Sequence, residues 1–262
     1  DVLRASRFAK EIDWADDIRS VRDSSFVSRH WEELYPFQQD AVNFLTYGHL
    51  PGSLLAMSPG TGKSAVAAIA AKMLNFRRVL IVCNRSLVGT WMRQLQLWAD
   101  VTAWNRYGDE AISTGWTITT YETLHRHLES YKLPWQLIIA DESSRLINTD
   151  TKSYQMVSQV REGAESIGCL SGTPIRKYAD DLYGQFKMIF PEAFTSYWRF
   201  ADRTCEIERG LWGTNISGSK PIDFQHFYNI SFYPYWWDLV DLFELTGDRR
   251  YLTMDLGLVV TN

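Results

Sequence analysis

Short apolar runs alternate with stretches of helical character along much of the chain. The runs end in glycine, aspartate or other polar residues, and they read "SLLAM", "RRVLIVCN", "GWTITTY", "WQLIIADE" and "ESIGCLSG". Apolar runs of this length are typical of strands that are buried on both faces. Their alternation with helical stretches predicts a parallel sheet covered by helices on both sides, and therefore an α/β fold.

A segment rich in alanine, "SAVAAIAAKMLNF", follows the first of these runs and the glycine-containing stretch "SPGTGKS". It contains no helix breaker, so it predicts a helix that begins at the glycines. A strand, a glycine turn and a helix N-terminus therefore occur in the order that a phosphate-binding loop requires.

The chain changes character near residue 195, where aromatic residues become frequent and the alternation of strands and helices stops. We therefore divide it into a lead-in of residues 1–33, an α/β unit of residues 34–194 and a mostly helical, aromatic-rich extension of residues 195–262. The late aromatic side chains are interpreted as a core or a docking surface, with stacking on single-stranded bases as the alternative. They are Phe224, Phe227, Tyr228, Phe232, Tyr233, Tyr235, Trp236 and Trp237.

Composition limits the possible partners. The 262 residues are 45% hydrophobic and carry a formal net charge of −4, which excludes a wholly basic nucleic-acid binder and restricts any DNA contact to a local face. Three cysteines without CxxC spacing indicate reduced, buried thiols of an intracellular protein. No apolar run reaches membrane-spanning length, so we expect no membrane partner. The five histidines have no metal-ligand spacing.

The stretch "SPGTGKS" carries the chemistry of a phosphate site. Gly60 and Gly62, with Thr61 between them, would let successive backbone N–H groups point at phosphate oxygens. Lys63 would neutralise the β- and γ-phosphates, and Ser64 would offer its hydroxyl to Mg²⁺. A plain glycine turn before a core helix is the alternative, but the order of strand, loop and helix favours the phosphate site.

An acidic pair supplies the second half of such a site. In "LIIADES" the apolar run predicts a buried strand, after which Asp141 would hold Mg²⁺ through its water shell. Glu142 would orient and deprotonate the attacking water. Alone, an Asp-Glu pair after a strand is usually a solvated turn. Together with the glycine loop it predicts binding of ATP with Mg²⁺, and a contribution to its hydrolysis.

From Leu34 onward the motifs resemble, in order and spacing, the first RecA-like lobe of helicase superfamily two, and specifically the Swi/Snf-type translocases of double-stranded DNA. That superfamily uses a short GxGK[ST] loop, which is consistent with Met57 in place of an opening glycine. "LYPFQQDAVNFL" is similar to the family's adenine-reading segment. The resemblance implies that Gln38 makes both hydrogen bonds of the adenine edge and that Phe37 packs nearby. From the residue pattern alone, a surface helix residue is an equally good interpretation of Gln38.

Two further stretches are similar to the family's DNA-facing motifs. "VLIVCNRSLVGTWMRQLQLW" matches motif Ia, with Asn84 in place of a proline, and implies that Arg85 and Ser86 contact DNA phosphate rather than lie on a solvated turn. "WTITTYETL" matches the next strand and turn. It implies that three residues lie near the DNA backbone, although helix packing explains "YETL" equally well: Thr119, Thr120 and Tyr121.

The last two matches concern the connection between the nucleotide site and the DNA-facing side of the family's motor lobe. "DESSRLIN" resembles the family's DEAH box, with Ser143 and Ser144 in place of the Ala-His pair and Ile147 in place of a lysine. "CLSGTPIRKYADDLYGQFKMIFPEAF" is similar to motif III with its long tail. The resemblance implies that Thr173 bonds to the DExx region and connects the nucleotide state to the DNA side.

The resemblance makes residues 34–194 an ATP-binding lobe, whose partners are duplex DNA backbone and a second RecA-like lobe in the same natural polypeptide. Because that second lobe supplies charge-stabilising arginines, we expect weak ATP binding and little hydrolysis by this chain alone. The alternative is a non-catalytic DNA- or protein-docking module. "YWRFADR" is similar to phage and bacterial members and implies the cytoplasm of a bacterial or phage-infected cell, and "GDRRYLTMDLGL" resembles the segment that closes the first lobe.

Overall fold

A six-stranded parallel sheet forms the centre of the computed structural model, which describes residues 30–47, 51–105, 115–210 and 213–220. The strand order is β1-β6-β5-β2-β4-β3. The strands are β1 Gly52–Ala56, β2 Val79–Cys83, β3 Trp104–Asn105, β4 Thr117–Thr120, β5 Leu137–Asp141 and β6 Ser166–Ser171. Every apolar run that the sequence analysis interpreted as a strand is one, and the predicted α/β class is confirmed.

Helices cover both faces of this sheet. They are α1 Pro36–Tyr47, α2 Lys63–Met73, α3 Val88–Ala99, α4 Tyr121–Arg126, α5 Leu128–Tyr131, α6 Lys152–Arg161 and α7 Leu182–Ile189. Alternate residues of β1, β2, β5 and β6 enter two separate cores, as Leu54 and Leu55 of β1 do. Since α1, α2 and α3 enclose one core and α4, α6 and α7 the other, these four strands are buried on both sides. The short edge strand β3 is an exception, because its Trp104 is 60% exposed.

The alanine-rich helix begins where the glycines predict. Helix α2 starts directly after Gly62, and eight of its eleven residues are buried. Small side chains let this helix lie close to the sheet, which places its N-terminus at the carboxyl end of β1.

The predicted mostly helical extension is wrong for the residues that the structure describes there. Helix α8, Tyr197–Thr204, leads into an antiparallel hairpin of β7 Cys205–Gly210 and β8 Gly213–Ser219. The hairpin was not predicted because apolar and polar residues alternate only weakly in "CEIERG", where most side chains are exposed. The late aromatic residues and "GDRRYLTMDLGL" lie outside the described residues, and so does most of the lead-in.

Parallel strands bring all their carboxyl ends to one edge of the sheet. This edge carries the glycine loop after β1, the acidic pair at the end of β5 and the segment "GTPIR" after β6. The turns after β2 and β4 lie farther along the same edge. In the described part of the chain, no helix is both long and apolar enough to cross a bilayer.

Candidate functional site

The glycine loop has a backbone that only glycine adopts without strain. Gly60 and Gly62 have φ values of 84° and 90°, in the left-handed region. A Cβ atom on Gly62 would also overlap the Gln38 side-chain amide. Gly62 caps α2, whose first turn has no side-chain cap and no acidic residue. The free N–H groups and the positive end of the helix dipole therefore face the loop, as anion binding requires.

Lys63 extends into this loop. Its Nζ atom donates to the Met57 carbonyl oxygen at 2.8 Å and to the Ser58 carbonyl oxygen at 3.3 Å. Burial lowers the pKa of Lys63, while the nearby charges of Asp141 and Glu142 act to raise it. The ammonium group is thus desolvated and held by neutral carbonyls, an arrangement in which phosphate oxygens would be stronger acceptors.

Asp141 ends β5 as a buried carboxylate with two fixed donors. Its Oδ2 atom accepts from the Trp91 indole N–H at 2.7 Å, and its Oδ1 atom accepts from the Glu142 backbone N–H at 3.0 Å. Burial raises the pKa of Asp141, and these hydrogen bonds and Lys63 oppose that rise. Trp91 therefore sets the orientation of the carboxylate, although it lies on α3 and fifty positions away in the chain.

Glu142 adopts a left-handed backbone conformation with φ 55° and ψ 51°. This conformation is uncommon for a residue with a long side chain, and such strain is concentrated at functional sites. The Glu142 Oε1 atom accepts a hydrogen bond from the Ser144 hydroxyl at 2.7 Å. Ser144 in turn accepts from Arg176 at 3.0 Å. The carboxylate that would activate water is thus held by a chain of side chains.

These residues fit a nucleoside triphosphate with Mg²⁺. The uncapped start of α2 and the Lys63 ammonium suit the phosphates, and Asp141 supplies an oxygen ligand of the kind that Mg²⁺ prefers. In the part of the chain that the structure describes, the Ser64 hydroxyl donates to no protein acceptor, so it is available as a second oxygen ligand. Ser64 and Asp141 are therefore the residues that would hold the ion.

Gln38 lies against the loop rather than on open surface. Its Nε2 atom donates to the Thr61 carbonyl oxygen at 2.9 Å, and its Oε1 atom accepts from the Tyr35 N–H at 3.0 Å. One N–H and one lone pair of the amide remain for adenine. Tyr35 is 67% exposed and stacks on Phe37 with ring centroids 5.9 Å apart. Tyr35 was not among the residues predicted for the site.

The residues that were predicted to contact DNA form two groups, one exposed and one buried. Arg85 and Ser86 are exposed in a short 3₁₀ turn that follows β2 at the carboxyl edge. This position is the one that the prediction of phosphate contact requires. Asn84 precedes the turn in an extended conformation, so the missing proline does not alter the path of the chain there.

The predicted DNA contacts of the next turn are wrong at the level of side chains. Thr119 is fully buried and donates to the Tyr131 hydroxyl, and Thr120 caps α4 by accepting from the Thr123 N–H. Tyr121 is 3% exposed and donates to the Asp141 carbonyl oxygen at 2.9 Å. All three side chains are buried and bonded within the protein, so none is exposed for a contact with DNA. The packing interpretation of "YETL" is the correct one.

The bond to the acidic strand end that was predicted for Thr173 is made by its neighbours instead. Among the described residues, the exposed Thr173 side chain makes no hydrogen bond to the acidic strand end. Pro174 and Arg176 make the connection, because the Gln185 amide joins the Pro174 carbonyl to the Ser143 hydroxyl and Arg176 bonds Ser144.

The family model for the SNF2-related domain matches residues 37–210, about two thirds of the chain, including the glycine loop, the acidic pair and Gln38. The chain belongs to this family. The match begins in α1 and ends in the hairpin, so the SNF2-related domain includes α8 and β7.

Relatives of this SNF2-related domain include chromatin proteins. The chain is 29% identical over 230 residues to the SWI/SNF-related matrix-associated actin-dependent regulator of chromatin subfamily A-like protein 1 of Xenopus tropicalis, covering 84% of this chain and 24% of that protein. For the Bos taurus protein of the same name the values are 30% over 211 residues, 76% and 21%. The chain thus spans less than a quarter of these relatives' length.

A solved structure agrees with the fold. The Sulfolobus solfataricus SWI2/SNF2 ATPase core in complex with dsDNA superposes with a TM-score of 0.58 at 26% identity, covering 65% of this chain and 38% of that one. The RecA-like fold of the SNF2-related domain is thereby confirmed.

Two contacts of this SNF2-related domain were not predicted. Trp91 was matched to motif Ia without a role, and Arg176 was not selected. Both act on residues of the acidic strand end that lie far away in sequence, so spacing carries no signal for them.

Proposed function

We propose that this chain is the ATP-binding first motor lobe of a DNA-dependent ATPase that translocates on duplex DNA. The observation that carries the proposal is the meeting of Lys63, Asp141 and Glu142 at one sheet edge. The exposed turn at Arg85 and Ser86 lies farther along that edge.

In this account the backbone N–H groups at the start of α2 hold the phosphates, and Lys63 leaves its two carbonyl acceptors for the terminal phosphate oxygens. Mg²⁺, held by Ser64 and Asp141, would neutralise charge on the phosphate oxygens. Trp91 keeps the Asp141 carboxylate oriented. Glu142 accepts the proton of the attacking water, while Ser144 fixes one of its oxygens.

We further propose that the arginines needed for rapid hydrolysis come from a second RecA-like lobe. An arginine that reaches the transferring phosphoryl group accelerates nucleotide hydrolysis by orders of magnitude. The arginines that the structure describes next to the acidic pair are already engaged. Arg145 bonds Glu122 at 3.3 Å and lies over the Tyr121 ring, and Arg176 bonds Ser144. Little hydrolysis by this chain alone is the consequence.

Duplex DNA is the proposed track, contacted through its backbone at Arg85 and Ser86. The archaeal SWI2/SNF2 core with a related fold was solved with dsDNA, which supports this choice. Contact with phosphates carries no sequence information, so binding is expected to be salt-sensitive and independent of sequence. The resemblance to phage and bacterial members leads us to propose the cytoplasm of a bacterial or phage-infected cell as the location.

A non-catalytic docking module is the second candidate. The replacement of the Ala-His pair by Ser143 and Ser144 favours it, because the histidine of that box is lost. Against it stand the complete phosphate loop and the two carboxylates. The candidates differ in one property: a docking module needs no ATP, whereas the motor lobe binds ATP through Lys63.

The test is steady-state ATP hydrolysis by this chain with and without duplex DNA, with Lys63→Ala as the blank, together with binding of a fluorescent ATP. We expect binding that the blank lacks and turnover near the blank in both conditions. Turnover clearly above the blank would overturn the need for a second lobe, and equal binding by wild type and blank would favour the docking module.

A further inference from the structure

We propose that Arg176 is a positioning residue for Glu142 and that it acts through the Ser144 hydroxyl. The inference rests on the proposed function, since it concerns how the water-activating carboxylate is held. The observation behind it is a continuous chain of two hydrogen bonds. Arg176 Nη2 lies 3.0 Å from Ser144 Oγ, and Ser144 Oγ lies 2.7 Å from Glu142 Oε1.

The chemistry of these groups fixes the direction of the chain. A guanidinium group has only donors, so Ser144 must accept from Arg176. The serine hydroxyl has a single proton, which is then left for the Glu142 carboxylate, an acceptor. The cation polarises the hydroxyl and strengthens its bond to the carboxylate. Arg176 thereby determines which way the Ser144 proton points.

Burial protects this arrangement. Ser144 is 2% exposed, so its hydroxyl does not exchange partners with bulk water. Glu142 is only partly buried and projects from a left-handed backbone. With Oε1 occupied by Ser144, the Oε2 atom is left to face a water molecule. One carboxylate oxygen is thus a fixed anchor, and the other is the reactive one.

Hydrogen bonds also fix the backbone around Arg176. The Asp181 Oδ2 atom accepts from the backbone N–H groups of Arg176 and Lys177 at 2.7 and 2.8 Å. One turn farther along α7, the Gln185 amide donates to the Pro174 carbonyl at 2.8 Å. The start of α7 therefore fixes the backbone from which the arginine side chain reaches Ser144.

The same segment touches the phosphate loop. The Met57 N–H donates to the Ser171 carbonyl at 3.2 Å, and a Cβ atom on Gly172 would lie 3.0 Å from the Pro59 ring. A shift of the phosphate loop therefore displaces the segment that carries Arg176. The hydrogen-bond chain gives that displacement a route to Glu142, which needs no histidine in the acidic box.

The experiment uses the whole chain with carbon-13 in the glutamate side-chain carboxyls, and Glu142→Gln assigns the Glu142 resonance. The variants are Arg176→Met, Ser144→Ala and their combination. Lys177→Met is the matched control, because that neighbouring exposed cation lies over the Tyr178 ring instead. Arg176→Lys tests whether a positive charge without the planar guanidinium group is enough to orient the Ser144 hydroxyl.

We expect Arg176→Met and Ser144→Ala to shift the Glu142 resonance in the same direction, with no further shift in the double variant. Lys177→Met leaves it in place. Arg176→Met leaves ATP affinity unchanged, because the chain of hydrogen bonds holds the water-facing carboxylate and not the nucleotide. Arg176→Lys restores part of the Glu142 resonance shift.

A Glu142 resonance that stays at its wild-type position in Arg176→Met but moves in Ser144→Ala would overturn the proposal. Equal shifts in Arg176→Met and Lys177→Met would overturn it as well, since they would report a general charge effect. Absence of ATP binding by the wild-type chain would instead overturn the proposed function and the catalytic role together. The dependence of the Glu142 resonance on Arg176 and Ser144 would still be measurable. Failure of the proposed function and failure of the hydrogen-bond chain are therefore distinguishable.

Discussion

Replacing Trp91 by phenylalanine removes the indole donor that helix α3 supplies to the Asp141 carboxylate. The buried Oδ2 atom then lacks its 2.7 Å partner. A hydrogen bond to a charged group contributes about 1.5–3 kcal/mol, and partners that orient metal ligands typically account for about 10- to 100-fold in metal affinity. We therefore expect Trp91→Phe to raise the Mg²⁺ concentration needed for ATP binding by about 10-fold or more.

The pH dependence follows from the same bond. The Trp91 hydrogen bond lowers the pKa of Asp141 against the rise caused by burial. Its loss raises the pKa further, and because Mg²⁺ binds the deprotonated carboxylate, half-maximal binding moves to higher pH. Titration of a fluorescent ATP with Mg²⁺ at several pH values measures both effects.

Trp135→Phe is the matched control. Trp135 is equally buried, and its indole donates to the Tyr131 carbonyl at 2.8 Å, in the core on the α4 and α6 side of the sheet. Both variants lose a buried indole bond and should lower the free energy of unfolding by a few kcal/mol, about 2–4. Only Trp91→Phe should alter the Mg²⁺ requirement. Identical Mg²⁺ curves for the two variants would refute the reasoning.

Three further outcomes are expected. Lys63→Met should raise the thermal midpoint near pH 7, because burial lowers the pKa of Lys63 in the folded chain and so disfavours its charged form there. The gain shrinks as pH rises through that lowered pKa toward 10.5, and a midpoint that falls at pH 7 would contradict it. Gly62→Ala should abolish binding of fluorescent ATP, whereas Gly60→Ala, with similar strain but open space, should retain more of it. Arg85→Ala should weaken duplex binding equally for all sequences and reduce the slope of log binding constant against log salt concentration by about 1. Tyr121→Phe should leave both the affinity and this slope unchanged. Weaker DNA binding by Tyr121→Phe would instead support the DNA contact that was predicted for Tyr121.

The sequence predicted those features that local patterns determine. Each buried strand has an apolar run, and Gly62 marks the start of α2 because the backbone there must be left-handed. The acidic pair was found because a strand of a parallel sheet delivers its last residues to the same edge as the loop. The period-two pattern of the β7–β8 hairpin was too weak to be recognised beside the aromatic residues.

Contacts that depend on how helices lie over the sheet were not predictable. The family resemblance implied that Thr119 lies near DNA, but β4 lies between β2 and β3, and Thr119 finds its partner in the Tyr131 hydroxyl. The bond from Trp91 to Asp141 likewise depends on the rotation of α3, which spacing does not determine.

The most direct test of the account is equilibrium binding of fluorescent ATP with Mg²⁺ to this chain, measured beside Lys63→Ala and Asp141→Asn. The account predicts saturable binding by the wild-type chain, its loss in Lys63→Ala, and a Mg²⁺ requirement that is abolished or strongly weakened in Asp141→Asn. Binding that is absent in the wild-type chain, or unchanged in both variants, would contradict the assignment of this sheet edge as the nucleotide site.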